Sequence, residues 1–221
     1  GTMNNCEVYG KIELSDLPTS TYIGGAVGRC LSGATMSNIT NHSNISVSST
    51  VNMETSVYLG GVVGSIPFNT NSMIDKCYNN GTIFFDAITA LGVVRIGGVV
   101  GLCKSLSVNS MSNSGKIKYA GQCNELSIGG VIGSAHGALS GDIRNVGDIV
   151  IENISSTYAE VLVGGVVGRT TAIIDGARCF CTITAWDPSA EFSKVGMITG
   201  SARVADTVVA TDCHVGGYID K

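Results

Sequence analysis

The chain has 221 residues, of which 44% are hydrophobic and only 14% are charged, and its formal net charge is −4. A nucleic-acid-binding domain usually carries a basic face, so this charge balance argues against nucleic acid as a partner. No run of about 18 apolar residues occurs, because Arg95 and glycines interrupt the most apolar stretch, 87–102, and no membrane span is predicted in this segment.

A pentapeptide of the form Gly-Gly-apolar-apolar-Gly returns along the whole chain. Consecutive copies begin 36, 37, 32, 35 and 32 residues apart, and the last copy, 196–200, is divergent. This period is typical of stacked-repeat proteins, so we expect residues 1–221 to form a single repeat domain. Structural roles are expected for the glycines of the intact copies: Gly24, Gly25 and Gly28; Gly60, Gly61 and Gly64; Gly97, Gly98 and Gly101; Gly129, Gly130 and Gly133; Gly164, Gly165 and Gly168.

A second motif alternates with the first and ends in isoleucine. It consists of an apolar residue, three residues, a small residue, one residue and the isoleucine. Around each isoleucine, apolar and mostly polar residues alternate, which predicts a strand with one buried face. The isoleucines are Ile12, Ile45, Ile83, Ile117, Ile149, Ile183 and Ile219.

The strict alternation of the two motifs predicts an all-β protein, a parallel β-helix or β-solenoid with about six rungs of about 34 residues. Equivalent residues would then form columns with a spacing of roughly 4.8 Å per rung. A β-propeller has a similar period, but its blades need four strands with hairpin turns. The Asn80-Gly81 pair lies inside the second motif and does not mark a hairpin, which favours the solenoid.

Eight cysteines raise the question of a disulfide framework. Cysteines that share a column are two rungs apart, which is about 9.6 Å and exceeds the roughly 7 Å that a disulfide allows. Cys179 and Cys181 are too close in sequence for an easy bridge. We expect free cysteines that pack as small hydrophobic residues. The columns contain Cys6, Cys77 and Cys213 in one case, and Cys30 and Cys103 in the other.

Motifs for a metal or a cofactor are weak. Neither Cys-x-x-Cys nor a phosphate-binding glycine loop is present, and a zinc site built from 179–181 and 213–214 is the minor alternative. The three histidines, His42, His136 and His214, show no triad spacing. No cofactor and no metal are therefore predicted.

A carbohydrate-active enzyme is an alternative only if two carboxylates can face each other at a catalytic spacing. Glycoside hydrolysis needs two facing carboxylates about 5–10 Å apart, and Asp142 and Asp175 precede equivalent motifs in neighbouring rungs. Asp212 is the next candidate in the series. Asp148 is expected to form a surface ion pair with Lys116, which contributes little to stability. The prediction is a protein without catalytic residues.

Five Asn-x-Ser/Thr sequons are present, and three of them cluster within 38–46. In a secreted eukaryotic protein they are candidate glycosylation sites, whereas in a bacterial chain rich in asparagine and serine they arise by chance. The acceptor residues are Asn38, Asn41, Asn44, Asn80 and Asn153.

The motif Gly-Gly-Val-Val-Gly, together with Cys77-Tyr-Asn-Asn-Gly-Thr-Ile83, resembles the GLUG repeat of bacterial surface and secreted proteins. Adhesin-like proteins and regions associated with IgA peptidases carry that repeat. The resemblance covers nearly the whole chain, but Lys76 stands where the family has asparagine, and three copies are divergent. It implies extracellular display at the cell surface and adhesion, and it supplies no catalytic residue.

These observations predict a non-catalytic extracellular surface repeat protein, an adhesin, stalk or filament-forming module. The alternative is a module that binds host glycan or surface protein through loops, such as 41–55 and 68–71. The sequence begins within one isoleucine motif and ends within another without an evident cap. Self-association end to end, or contact with flanking repeats of a longer protein, is therefore expected.

Overall fold

The computed structural model describes residues 1–17, 19–31, 33–66, 72–104, 107–108, 110–152, 160–171, 173–185, 194–202 and 210–220. Strands and turns make up these residues, and no helix occurs among them. All the strand pairs that are described run parallel, and equivalent residues of successive motifs are neighbours. The predicted β-solenoid with a period of roughly 34 residues is confirmed.

The strands follow one another in coils, each coil being one turn of the solenoid. The first coil contains β1 Thr2–Val8, β2 Lys11–Ser15, β3 Thr21–Gly24 and β4 Val27–Arg29, and the second contains β5 Thr35–Asn41, β6 Asn44–Met53, β7 Val57–Gly60 and β8 Val63–Ile66. The third contains β9 Met73–Asn79, β10 Ile83–Gly97 and β11 Val100–Cys103, and the fourth β12 Ser107–Val108, β13 Ser110–Asn113, β14 Ile117–Gly129 and β15 Ile132–Ala135. The fifth contains β16 Asp142–Asn145, β17 Ile149–Glu152, β18 Glu160–Gly164 and β19 Val167–Thr170, and the sixth β20 Ile174–Asp175, β21 Ala177–Cys179, β22 Thr182–Ala185, β23 Lys194–Gly196 and β24 Thr199–Ala202. The last strands are β25 Ala210–Thr211, β26 His214–Val215 and β27 Tyr218–Asp220.

Three sheets run along the axis of the solenoid. Sheet A has the order β1-β5-β9-β13-β16-β21-β26, and sheet C has the order β24-β19-β15-β11-β8-β4. Sheet B has the main path β2-β6-β10-β14-β17-β22-β27, to which β3, β7, β18 and β23 also belong. A small sheet pairs β20 with β25. The first motif forms the corner between sheets B and C, and the second motif forms the corner between sheets A and B.

Columns of apolar side chains fill the interior, as the alternation predicts. The isoleucine column runs through Ile45, Ile83 and Ile117, each at most 1% exposed. Phe85 and Tyr119 stack in neighbouring coils with ring centroids 5.3 Å apart. Burial of these side chains stabilises the fold by roughly 25 cal/mol per Å² of apolar surface. The predicted cysteine column is also present, with Cys6, Ile39, Cys77, Met111, Ile143 and Ala177 in register.

A ladder of buried asparagines crosses four coils at the corner between sheets A and B. Every amide nitrogen Nδ2 except that of the last member donates to the Oδ1 atom of the next asparagine, at 2.8, 2.8 and 2.9 Å. Each Nδ2 also donates to the carbonyl oxygen two residues further along its own coil, at 2.8–3.0 Å. The amides are therefore fully buried without an unpaired Nδ2 group. The members of this asparagine ladder are Asn41, Asn79, Asn113 and Asn145, all 0% exposed.

The asparagine ladder explains why the pentapeptide needs its second glycine. A Cβ atom on Gly61 would collide with the side chain of Asn79 and with the carbonyl oxygen of Gly98. Gly98 stands in the same relation to Asn113. The first glycines of the motif face backbone atoms of their own corner, and the third glycines lie against the sheet B strand of the preceding coil. The predicted structural role of the pentapeptide glycines follows from these close approaches.

A column of left-handed residues precedes the apolar position of the second motif. Asn5, Asn38 and Lys76 have φ angles of 54°, 52° and 51°, and Asp212 has 48°. Asparagine and aspartate adopt this conformation more readily than other residues with a Cβ atom, and lysine adopts it at a cost. The asparagine directly before the apolar position, at Asn5 and Asn38, thus meets a backbone requirement, and Lys76 at the same position is strained.

One predicted loop is wrong. Residues 41–55 are rich in serine, threonine and asparagine and were expected to connect strands, but Asn44–Met53 is strand β6. Its backbone pairs with β2 on one side and β10 on the other, which supplies the hydrogen bonds that the polar composition does not predict. The second predicted loop, 68–71, lies outside the described residues.

The substitution Asn113→Leu tests the asparagine ladder. It keeps the number of side-chain heavy atoms and the branching at Cγ, but it removes the hydrogen bonds that Asn113 makes with the Asn79 amide, the Asn145 oxygen and the Gly115 carbonyl. We expect a loss of roughly 3 kcal/mol in the free energy of unfolding, measured by denaturant titration. The control Asn80→Ala, at an exposed position, should change stability by less than about 0.5 kcal/mol. Equal effects of the two substitutions would contradict a stabilising ladder.

The substitution Lys76→Asn tests the left-handed column. It replaces a strained lysine with a residue that tolerates positive φ, so we expect stability to rise by about 0.5–1 kcal/mol. The control Lys116→Asn lies outside the left-handed residues and should not stabilise the fold. Thermal unfolding of both variants provides the measurement, and a destabilised Lys76→Asn variant would refute the explanation.

Candidate functional site

An open groove lies on the outward face of sheet A, in the fifth and later coils. Its volume is about 490 Å³, and its lining is mainly basic and aromatic. We call it the basic groove, and it is lined by Arg144, Arg178, Phe180, His214 and Val215.

The repeat register brings the basic side chains together. Arg144 pairs with Arg178 in the next strand, and Arg178 pairs with His214 in the strand after it. Within each strand, the residues on either side of the arginine point inward, as for Ile143 and Ala177, which are fully buried. Alternation therefore directs both arginines outward at a spacing of roughly 4.8 Å between strands.

Phe180 forms the aromatic wall of the basic groove. Its side chain remains 44% exposed, and the guanidinium carbon of Arg144 lies 5.7 Å from the ring centroid. A Cβ atom on Gly216 would come within 2.5 Å of Cδ1 of this ring, so the absence of a side chain there allows the ring to lie over the next coil. The backbone N–H of Phe180 donates to the carbonyl oxygen of Asn145 at 2.9 Å, which fixes the residue to the fifth coil.

The charge of the basic groove is only partly compensated. Arg178 lies 3.6 Å from Asp142, but the two side chains are 50% and 60% exposed. Exposed pairs of this kind contribute about 0–1 kcal/mol, so this pair opposes the binding of another anion only weakly. The groove thus presents planar guanidinium groups, which suit carboxylate, sulfate and phosphate groups.

A second charged cluster joins three coils. Glu125 accepts from Arg95 and from Arg169, the latter at 2.7 Å, and Arg169 also reaches Glu160 at 3.5 Å. Arg95 is only 8% exposed. Burial, followed by the positive charges of Lys104, Arg169 and Arg95, lowers the pKa of nearby His136. This cluster fastens neighbouring coils to one another.

The predicted carboxylates have separate partners. Asp142 pairs with Arg178, whereas Asp175 accepts a hydrogen bond from Oγ1 of Thr211 at 2.6 Å. Asp148, expected to pair with Lys116, instead accepts a hydrogen bond from the backbone N–H of Thr182 at 2.9 Å. These contacts are typical of carboxylates that connect adjacent coils.

The sequons divide into exposed and buried sites. Asn38, Asn44 and Asn80 are exposed, and Asn153 lies outside the described residues. Asn41 is wrong as a candidate glycosylation site, because it is fully buried and its Nδ2 donates to Ser43 and Asn79. A glycan on that nitrogen would break the asparagine ladder.

The described side chains bring no three histidine, cysteine, aspartate or glutamate residues into a metal-binding group. In the described part of the chain, no helix long and apolar enough to cross a membrane was found.

Sequence reasoning missed the basic groove and the asparagine ladder. Both had a visible signal, because each occupies a fixed place in the second motif. Asparagine follows the apolar residue by two positions in four consecutive copies, and arginine follows it by one position in two, at Arg144 and Arg178. The second motif is recognised by its apolar, small and isoleucine positions, and neither the asparagine nor the arginine is among them.

Comparison with known proteins found no matching family model, curated protein or solved structure. The resemblance to the GLUG repeat therefore stays a prediction.

The substitution Glu125→Gln tests the buried charged cluster. It leaves Arg95 with a neutral partner in a poorly solvated place, while Arg169 keeps only the longer contact with Glu160, and we expect a loss of about 1–3 kcal/mol in unfolding free energy. The matched control is Glu152→Gln, which removes an exposed pair with Lys118 and should cost less than about 0.5 kcal/mol. Chemical denaturation compares the two, and similar losses would show that the cluster does not stabilise the coils.

Proposed function

We propose that the chain is a non-catalytic extracellular scaffold that binds acidic glycans through the basic groove. The observation that carries this proposal is the alignment of Arg144, Arg178 and His214 in consecutive strands beside the exposed ring of Phe180. The proposal combines surface display with the binding of a specific class of ligand.

The two arginines account for the acidic part of the ligand. Guanidinium groups on strands roughly 4.8 Å apart can donate to one carboxylate or sulfate from two sides. Charge-assisted hydrogen bonds of this kind contribute about 1.5–3 kcal/mol each. His214 extends the row of nitrogen donors along the solenoid axis, in the direction that an oligosaccharide would follow.

Phe180 accounts for the sugar part of the ligand. Binding sites for small molecules combine an apolar or aromatic wall with a few polar groups that fix orientation. The exposed ring of Phe180 provides such a wall for the apolar face of a pyranose, next to the arginines that would hold its acidic substituent.

The rigidity of sheet A favours binding by a preformed surface. Arg144 and Arg178 lie within strands β16 and β21, whose neighbours on both sides are hydrogen-bonded. A site on such strands loses little conformational freedom when it binds a ligand.

The GLUG resemblance supports display at the cell surface, where acidic glycans are abundant partners. End-to-end association of solenoids, or continuation into flanking repeats, stays a prediction about how the scaffold is presented. The binding of a surface protein in place of a glycan is the alternative.

Arg178→Gln tests the proposed site. We expect the wild-type chain to bind a uronic-acid oligosaccharide measurably in isothermal titration calorimetry and a neutral oligosaccharide of equal length not at all. Loss of one charge-assisted contact should weaken binding roughly tenfold or more. Phe180→Ala should also weaken it, and Lys118→Gln, on sheet B, should not.

A sulfated oligosaccharide is compared in the same experiment to distinguish sulfate from carboxylate. Circular dichroism verifies that each variant retains its strands. The proposal fails if neither acidic probe binds, or if Arg178→Gln binds both of them as tightly as the wild type does.

A further inference from the structure

Cys179 and Cys181 lie side by side directly behind the basic groove. Their Sγ atoms are 3.2 Å apart, and the residues are 0% and 4% exposed. Strand β21 ends at Cys179, and the chain bends there, which brings the two sulfur atoms together. All eight cysteines are thiols, as the sequence predicts, but the sulfur atoms of Cys179 and Cys181 lie within hydrogen-bond distance.

The pair replaces the two structural residues of this corner in the neighbouring coil. Cys179 occupies the column of Asn145, and Cys181 occupies the column of Gly147. A Cβ atom on Gly165 would touch the sulfur of Cys179, just as the equivalent glycines face the asparagine ladder. The sixth coil therefore substitutes two thiols for an amide and a glycine at the same corner.

We propose that Cys179 and Cys181 form a redox-active dithiol that a small hydroperoxide converts into an intramolecular disulfide. Cys179 gives up its proton, its thiolate attacks one peroxide oxygen, and the O–O bond breaks. The leaving hydroxide takes up that proton, so a sulfenic acid and one water form. The sulfur of Cys181 then attacks the sulfur of Cys179, the S–O bond breaks, and the second water leaves with the thiol proton. Two thiols and one hydrogen peroxide thus give one disulfide and two waters.

Local interactions assign the two roles. The hydrogen bond from Cys181 lowers the pKa of Cys179 against the opposing effect of burial, and the backbone N–H of Cys181 lowers it further. The pKa of Cys181 is raised, first by its hydrogen bond to Cys179 and then by burial. Because the backbone N–H of Cys181 donates to the sulfur of Cys179 and favours a thiolate there, we assign Cys179 as the attacking thiolate and Cys181 as the resolving thiol.

The small solvent exposure of Cys179 and Cys181 limits the size of the oxidant that can reach them. Cys179, the attacking residue, is 0% exposed and Cys181 only 4%, so a small uncharged peroxide can reach the sulfur atoms through a slight local opening, whereas a protein disulfide is too large. Two other buried thiols are expected to react much more slowly, because burial raises the pKa of Cys30 to about 11 and that of Cys77 to about 12. These two cysteines serve as internal controls.

Peptide mass spectrometry of the full chain tests the proposal. The folded protein is treated with hydrogen peroxide, denatured, alkylated and digested with trypsin, which releases residues 179–194 as one peptide. We expect this peptide to lose about 2 Da and to escape alkylation, and dithiothreitol to reverse both effects. Peptides with Cys30 and Cys77 should stay fully alkylated. Full alkylation of peptide 179–194 after peroxide, or equal oxidation of Cys77, would overturn the proposal.

Two variants separate chemistry from folding. In Cys181→Ser, the sulfenic acid on Cys179 has no resolving thiol, so dimedone should label Cys179. The double variant C179N/C181G restores the residues of the fifth coil and should remain folded and unlabelled. A folded Cys181→Ser variant that is not labelled by dimedone, and whose Cys179 is still alkylated after peroxide, would also overturn the proposal.

Discussion

The contact between the asparagine ladder and the second glycine of the pentapeptide is the constraint on which the packing of the first five coils depends. The amide of Asn79, for example, fills the space that a Cβ atom on Gly61 would need. The two motifs form different corners, and this contact joins the glycine corner of one coil to the asparagine of the next coil. Strict alternation of the motifs is therefore a packing requirement, since an amide without its glycine collides and an unpaired buried amide costs about 1–3 kcal/mol.

The proposed binding groove and the proposed dithiol both lie where this regular corner changes. The ladder extends from Asn41 to Asn145, and the next position in the column is Cys179. In that same coil, Cys181 replaces the small residue, Phe180 forms the wall of the groove, and Arg178 continues the arginine row. Residues 178–181 therefore carry changes on both faces. The two cysteines point inward and Arg178 and Phe180 point outward, because neighbouring residues of a strand alternate between opposite faces.

The sequence was sufficient to predict the solenoid because its signals are local. Spaced glycines and isoleucines with alternating neighbours define strands and corners without knowledge of distant contacts. The asparagine ladder was missed because Asn41, with its sequon, resembles a surface residue until the parallel register shows Asn79 beside it. The strand Asn44–Met53 was missed because its partners, and not its polar composition, supply its hydrogen bonds. Arg144 and Arg178 are 34 residues apart, and only the register makes them neighbours.

A residue that departs from the repeat pattern has different consequences at an outward-facing and at an inward-facing position of a solenoid. Its stability is approximately a sum of terms within coils and between adjacent coils, so an exposed residue such as Arg178 can vary without disturbing distant coils. A changed residue at an inward-facing position affects the packing of the coils on both sides, and the contacts that it loses must be replaced by another residue. Cys179 cannot replace the amide hydrogen bonds of an asparagine, but it has Cys181 within 3.2 Å. The second cysteine thus provides the local partner that the interrupted ladder lacks, and this requirement explains why the two substitutions occur together.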